Sequence, residues 1–372
     1  MNDRAGARQA PRGFHEGILT DGSSVRKSQP SSRLLAAFSV RAPEAHDLPP
    51  GCRRVQRSRS GGASWYPLDA GRPADQGGPV TVGTRPRARR GPIRTGHPPA
   101  HISGAASSAL RPVFEAPRRP ARVLAAFSTG VYLEIRADLE PRVVALVTGD
   151  GVRLPNSVVL GDPLPGVAAG DDAMVGEGAI ELGGCVLRPR RWWNPAPPLG
   201  PVDPAALARA AEIMTVACAR SPRRPGLEDT GAATLLADGC ASGSLIRMIT
   251  AAEHLVGLGP GLTPSGDDML AGLLVALRGL GGASGAARAV WTAGWLAAAV
   301  TFDARTRTTP ISATLLHCAA RGEGSAEVVA VLRGVCGRQA LEPALARLLS
   351  LGHTSGADLA WGLRVGLAAV RG

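Results

Sequence analysis

The chain has 372 residues, 44% of them hydrophobic but only 3% aromatic, with a formal charge of +12. That is enough apolar material for a sizeable core, filled with Ala, Leu and Val rather than with rings, which suits close-packed helices and a small sheet better than an aromatic-rich sandwich. The charge is confined to the front: residues 1–120 carry 20 Lys+Arg against 8 Asp+Glu, and the remainder carries 22 against 22, so a nucleic-acid role is restricted to a tethered basic arm and is not expected of the rest.

Residues 1–118 are rich in Pro, Gly and Arg and keep no helical or strand period, so they read as a disordered extension. One phrase there, Arg33 to Ser39, is echoed by Arg122 to Ser128. The first 30 residues lack the apolar centre of a signal peptide, and a cytoplasmic location is expected. The six cysteines, Cys52, Cys185, Cys218, Cys240, Cys318 and Cys336, form no C-x-x-C pair and read as free thiols in a reducing compartment.

From Val123 the texture changes. Val123–Ile135, Val143–Val147, Val158–Leu160 and Ala179–Leu187 read as short strands, separated by turns at Thr148–Gly151, Gly161–Pro163 and Gly183–Gly184, and predict a small antiparallel sheet or partial barrel over residues 119–200. Trp192 and Trp193 then read as a packing plug ahead of a Pro-rich connector ending near Pro201. Asp203-Pro204 is an N-cap followed by proline, and residues 201–372 read as a helical domain. Its predicted helices run about 204–220, 241–256, 266–278, 285–303, 310–320, 325–333, 341–350 and 356–370. Ala289 to Phe302, the longest uncharged apolar stretch, is too short to cross a bilayer and reads as a buried Ala/Trp helix, so no membrane partner is expected. The fold class is α+β, the β-rich part first.

The most unusual string is Gly259-Pro260-Gly261-Leu262-Thr263-Pro264-Ser265-Gly266-Asp267-Asp268, which opens onto a helix. Gly259 and Gly261 can take positive φ, and the first N–H groups with the hydroxyls of Thr263 and Ser265 can cradle a small anion such as phosphate. Ninety residues later, Ser355-Gly356-Ala357-Asp358 and the helix behind it repeat seven positions at constant offset, which predicts an internal structural repeat with two helix entrances on one side of the domain. Two capping boxes, with Ser265 and Ser355 as N-caps and Asp268 and Asp358 reaching back, account for part of this pattern without any ligand.

Asp267 and Asp268 side by side permit a Mg²⁺ bridging to a substrate phosphate, one carboxylate ligating while the other caps. Asp267 and His353 are the candidate catalytic groups, although a lone histidine at such a turn is more often a polar lid. A third hydroxyl cluster, Thr308, Thr309 and Ser312, follows Arg305 and Arg307 and surrounds Pro310 at another helix start, between the first two entrances in the chain.

These strings resemble the family of the subunit AllH of bacterial oxamate carbamoyltransferase. The resemblance rests on Gly259 to Asp268, on Thr308, Thr309 and Ser312, and on Leu351 to Asp358 including His353, Thr354, Ser355 and Gly356; Arg122 to Tyr132 and Pro155-Asn156-Ser157 support it. It implies phosphorolysis of oxalurate to oxamate and carbamoyl phosphate in a hetero-oligomer with other carbamoyltransferase subunits. The substrate-binding set expected from both lines is Gly259, Gly261, Thr263, Ser265, Gly266, Thr308, Thr309, Ser312, Thr354, Ser355, Gly356, Asp358 and Asn156, around an anionic substrate such as phosphate, carbamoyl phosphate or oxamate. A non-catalytic anion-binding or scaffolding subunit is the competing expectation.

Overall fold

The computed structural model describes residues 100–161 and 163–372. The Arg33–Ser39 phrase, Cys52 and the extension up to residue 99 lie outside the described residues. Residues 100–118 do not continue that extension. They form a strand β1 (Ala100–Ser107), a 3-10 turn (Ser108–Leu110) and a short helix α1 (Arg111–Glu115). The sequence of β1, AHISGAAS, has weak strand propensity. Its order comes from pairing with distant partners on both sides.

Those partners close a barrel. Strands β2 (Arg119–Ala126), β3 (Gly130–Ile135), β4 (Val143–Val147), β5 (Ser157–Leu160), β6 (Asp172–Gly176), β7 (Ala179–Leu182) and β8 (Cys185–Trp193) join β1 in the order β1-β5-β4-β3-β2-β6-β7-β8. The expected small antiparallel sheet or partial barrel is a closed barrel, and it is not purely antiparallel, since β1 with β8 and β4 with β5 form two parallel seams. Closure leaves no edge strand to protect. Alternation fills the interior: Val131, Leu133 and Ile135 of β3 are buried with Val144 and Leu146 of β4. Helix α1 adds Val113 and Phe114 to the same core. Trp192 packs edge-on against Phe114 at 5.7 Å under the Arg111 guanidinium, in keeping with its reading as a plug.

The helical region comprises α2 (Pro204–Arg220), α3 (Gly231–Ser242), α4 (Leu245–Leu255), α5 (Ser265–Ser284), α6 (Ala287–Arg307), α7 (Pro310–Ala320), α8 (Ala326–Val335), α9 (Leu341–Leu349) and α10 (Ser355–Arg371). Helix α3 was not expected. Its flanking glycines and small residues carry little helical signal, and it is held by a Thr230 cap and by close packing of Gly239 against Met248. Helix α6 is helical as expected but not wholly buried. Ala293, Leu296, Ala297 and Val300 face the core, whereas Trp291, Trp295 and Phe302 are exposed. Among the described residues no helix is long and apolar enough to cross a membrane.

Helix α5 is the axis of this region, buried without interruption from Ser265 to Leu277, as befits a helix apolar on all sides. Its main neighbour is α10, which runs parallel to it. A Cβ on Gly362 would lie 2.1 Å from the Met269 carbonyl, one on Gly272 2.3 Å from the Leu359 carbonyl, and one on Gly366 2.5 Å from the Ala276 methyl. The first two contacts are related by the offset of 90 seen in the sequence. They permit backbone-to-backbone approach and fix the register that brings Ser265 beside Thr354. Gly362→Ala is therefore expected to lower stability by about 1–3 kcal/mol through overpacking. Gly294→Ala, on the open face of α6 with nothing within 4 Å of its Cβ, should raise it by about 0.5–1 kcal/mol through helix propensity. Thermal unfolding of the two variants checks both signs.

Candidate functional site

The loop entering α5 is shaped by three positive-φ glycines, Gly257, Gly259 and Gly261. A Cβ on Gly257 would lie 2.1 Å from the Arg307 carbonyl, and one on Gly259 would lie 2.8 Å from Ser265 N. These two serve the tight turn, whereas Gly261 faces open space.

Asp267 locks the loop in place. Its Oδ1 accepts the Gly257 N–H at 2.8 Å, and its Oδ2 accepts the Ser312 hydroxyl at 2.6 Å together with that of Thr308. Burial raises its pKa against the pull of those three donors. Thr309 caps α7, accepting the Ser312 N–H at 3.1 Å, and donates its hydroxyl to the Leu262 carbonyl at 2.6 Å. The third hydroxyl cluster thus belongs to the same assembly as the first entrance. With both Asp267 oxygens engaged by protein donors, only Asp268 of the two keeps a free oxygen for the expected single-carboxylate contact to Mg²⁺. Among the described residues no group of three or more His, Cys, Asp or Glu could hold a metal ion.

Neither serine is an N-cap. Pro264 and Thr354 occupy the cap positions, without side-chain caps, and Ser265 and Ser355 are the first helical residues. The hydroxyls instead cross between the two helices, Thr263 to Ser355 at 3.1 Å and Ser265 to Thr354 at 3.3 Å. The expected backbone cradle is also largely committed. Gly266 N–H bonds to Leu258 O, Asp267 and Asp268 N–H to Pro264 O, Gly356 N–H to Leu351 O, and Asp358 N–H to Thr354 O. Gly266 and Gly356 are packing positions, since a Cβ on either would strike the Leu255 or Leu348 carbonyl within 2.1 Å.

Asp358 is fully buried. Its Oδ1 accepts the Gly226 N–H at 2.7 Å, while its Oδ2 has no partner. Burial raises its pKa, opposed by the Gly226 N–H and the Ser265 and Thr354 hydroxyls. Asp268, 6% exposed, also has an unpartnered Oδ2. Burial pushes its pKa up to about 8; the Ser355 and Thr263 hydroxyls pull it down, and the neighbouring Asp358 and Asp267 charges add to the rise.

Asp268, Thr263 and Ser355 line a pocket of about 280 Å³. Its walls are apolar, from Val275, Ile311, Val328 and Leu359 on the helices and Tyr132, Leu154 and Pro155 on the barrel side. Glu323, buried with an unpartnered Oε2, is a second carboxylate in the lining, and no Arg or Lys is present there. Glu323 is not among the expected residues, and Tyr132 enters only as the end of the Arg122–Tyr132 stretch; a carboxylate set between Gly322 and Gly324 is the only local signal for the former. Of the residues expected at the site, only Thr263, Asp268 and Ser355 are in this lining. His353 is exposed on the turn before α10, and buried Asn156 donates its amide to the Val143 carbonyl at 2.8 Å, tying the loop before β5 to β4.

Residues 255–367 match the family model described as oxamate carbamoyltransferase subunit AllH, the family that the motifs resemble. The matched segment contains both entrances, the Thr308–Ser312 cluster and Glu323, and it leaves out the barrel. No solved structure matches the chain.

Two measurements follow from this geometry. Asp267→Ala strands three donors and should cost about 2–4 kcal/mol in urea unfolding. Asp268 has a folded pKa above the usual 3.8, so the folded state holds the extra proton between these values. Stability from this group is therefore full at low pH and declines as pH rises toward about 8. Asp268→Asn should flatten the decline in melting temperature between about pH 4 and 8; an unchanged slope would show that Asp268 is not the group responsible.

Proposed function

We propose that the chain is a subunit of an oxamate carbamoyltransferase-like complex, taking part in the phosphorolysis of oxalurate to oxamate and carbamoyl phosphate. The observation that carries this reading is the overlap between the family match and the pocket-forming segments. Residues 255–367 supply every polar pocket group singled out above except the Tyr132 hydroxyl.

The chemistry of the lining suits a carbamoyl or ureido group better than the fully charged anion expected from sequence. Such a group presents N–H donors on one side and a carbonyl acceptor on the other. The hydroxyls of Thr263 and Ser355 can take either role, and the unpartnered oxygens of Asp268 and Glu323 can engage its N–H groups. In phosphorolysis a phosphate oxygen bonds to the carbamoyl carbon, the bond from that carbon to the oxamate nitrogen breaks, and the nitrogen takes a proton. With a pKa near 8, Asp268 is protonated at neutral pH and in our reading is the acid that supplies it. The N-termini of α5 and α10 converge here, and their positive dipole ends favour negative charge developing on the carbamoyl oxygen. Asp267 is then a positioning residue rather than a catalytic one.

One observation favours the second reading, a non-catalytic binding subunit: no cationic side chain in the pocket faces a phosphate. The isolated chain and the chain reconstituted with its partner subunits separate the two. Under the first reading the complex makes carbamoyl phosphate, and Asp268→Asn lowers turnover by about 100-fold or more while abolishing the limb of the pH profile near 8. Full turnover by the Asp268→Asn complex would reject the assigned role. Oxalurate binding to the isolated chain, measured by calorimetry, should weaken in the Thr263→Ala, Ser355→Ala double variant; unchanged binding would reject the pocket.

A further inference from the structure

A second cavity, of about 570 Å³, lies between the connector Pro197–Pro201 and the C-terminal half of α5. Its lining holds two guanidinium groups, Arg278 of α5 and Arg321 at the end of α7, and no Asp or Glu. The rest is Pro, Gly, Ala, Leu and Val.

The two arginines are unequally used. Arg321 donates its Nε to Glu323 Oε1 at 3.0 Å, and no hydrogen bond is recorded from its terminal amino groups. The Arg278 Nε is buried and has no partner at all. The Arg278 stem lies against Gly322, the residue after Arg321: Gly322 has φ +82, and a Cβ there would touch the Arg278 side chain at 3.4 Å. Gly279 and Gly282 leave one wall without side chains. A desolvated guanidinium N–H without an acceptor is costly, and the fork geometry of Arg is matched by the paired oxygens of phosphate or carboxylate.

We propose that Arg278 and Arg321 form a binding site for a small doubly charged oxyanion, a phosphate or a dicarboxylate, distinct from the pocket at the helix entrances. An anion here takes up the terminal donors of Arg278 and Arg321 while the Arg321 Nε remains on Glu323. The site does not depend on the carbamoyltransferase reading and stands or falls separately from it.

Calorimetry on the full chain with inorganic phosphate and with malonate tests it. Saturable binding of one or both is expected, and the tighter of the two identifies the oxyanion class. Arg278→Met and Arg321→Met should each weaken binding by about tenfold or more. Arg288→Met, on α6 outside the cleft, serves as the control for net charge and should bind as the parent does. Arg321→Lys keeps a positive charge beside Glu323 but lacks the guanidinium fork, and its weakened binding keeps the test decisive if either methionine variant fails to fold. Absence of saturable binding by the parent chain, parent-like binding by the cleft variants, or equal loss in Arg288→Met would each overturn the proposal.

Discussion

Parallel helices that meet at their N-termini bring two positive dipole ends together, and that arrangement is unfavourable unless negative groups are placed between them. Here α5 and α10 are forced into it by glycine. Gly272 and Gly362 let each backbone press against a carbonyl of the other helix, and this leaves the two entrances side by side with no freedom to splay. Asp267, Asp268 and Asp358 all lie in the first turns. The concentration of buried carboxylate that would be hazardous elsewhere is thus tied to the electrostatics of the helix pair.

The same constraint separates residues that look equivalent in sequence. Asp267 and Asp268 are adjacent, but successive helical positions diverge by about 100°. Asp267 meets the turn between α6 and α7 and gathers three donors; Asp268 meets the seam with α10 and an apolar pocket. Burial is common to both, and the number of hydrogen bonds is what differs. A carboxylate with three good donors is fixed as structure, whereas one facing a cavity with an unpartnered oxygen is left for a ligand or a proton.

Much of this was legible in the residues. The offset of 90 between Ser265 and Ser355 marked two related helices, and the convergence of those helices, with Thr308 and Ser312 beside them, agrees with the expected grouping. What the string could not convey was direction. Ser-x-x-Asp is compatible with a serine bonding to its own helix or to another's, and the choice is made by the crossing that the glycines permit. A partial barrel was among the expectations, but its closure was obscured for a related reason: β1 is a run of small residues whose order derives from β5 and β8, far along the chain, and local pattern carries no trace of such pairing. Helix α3 shows the same override, since Gly239, unfavourable for a helix on its own, is what admits Met248.

The distribution of charge carries the argument one step further. A small anion was expected at the glycine-rich entrances because glycine loops before helices so often serve that end. In this fold Gly257, Gly259 and Gly266 are spent on close packing, the first amides of α5 on carbonyls, and the cavity beside them is acidic. The arginines free to bind an anion lie on the far side of one ion pair, Arg321 with Glu323, whose members line different cavities. A ligand drawing on Arg321 in the cleft would change the field felt by Glu323 in the pocket, so the two cavities are electrostatically joined through a single contact. Removing Arg321 would leave a buried carboxylate without its counter-charge, and at such a wall that loss outweighs whatever the pair contributes to stability.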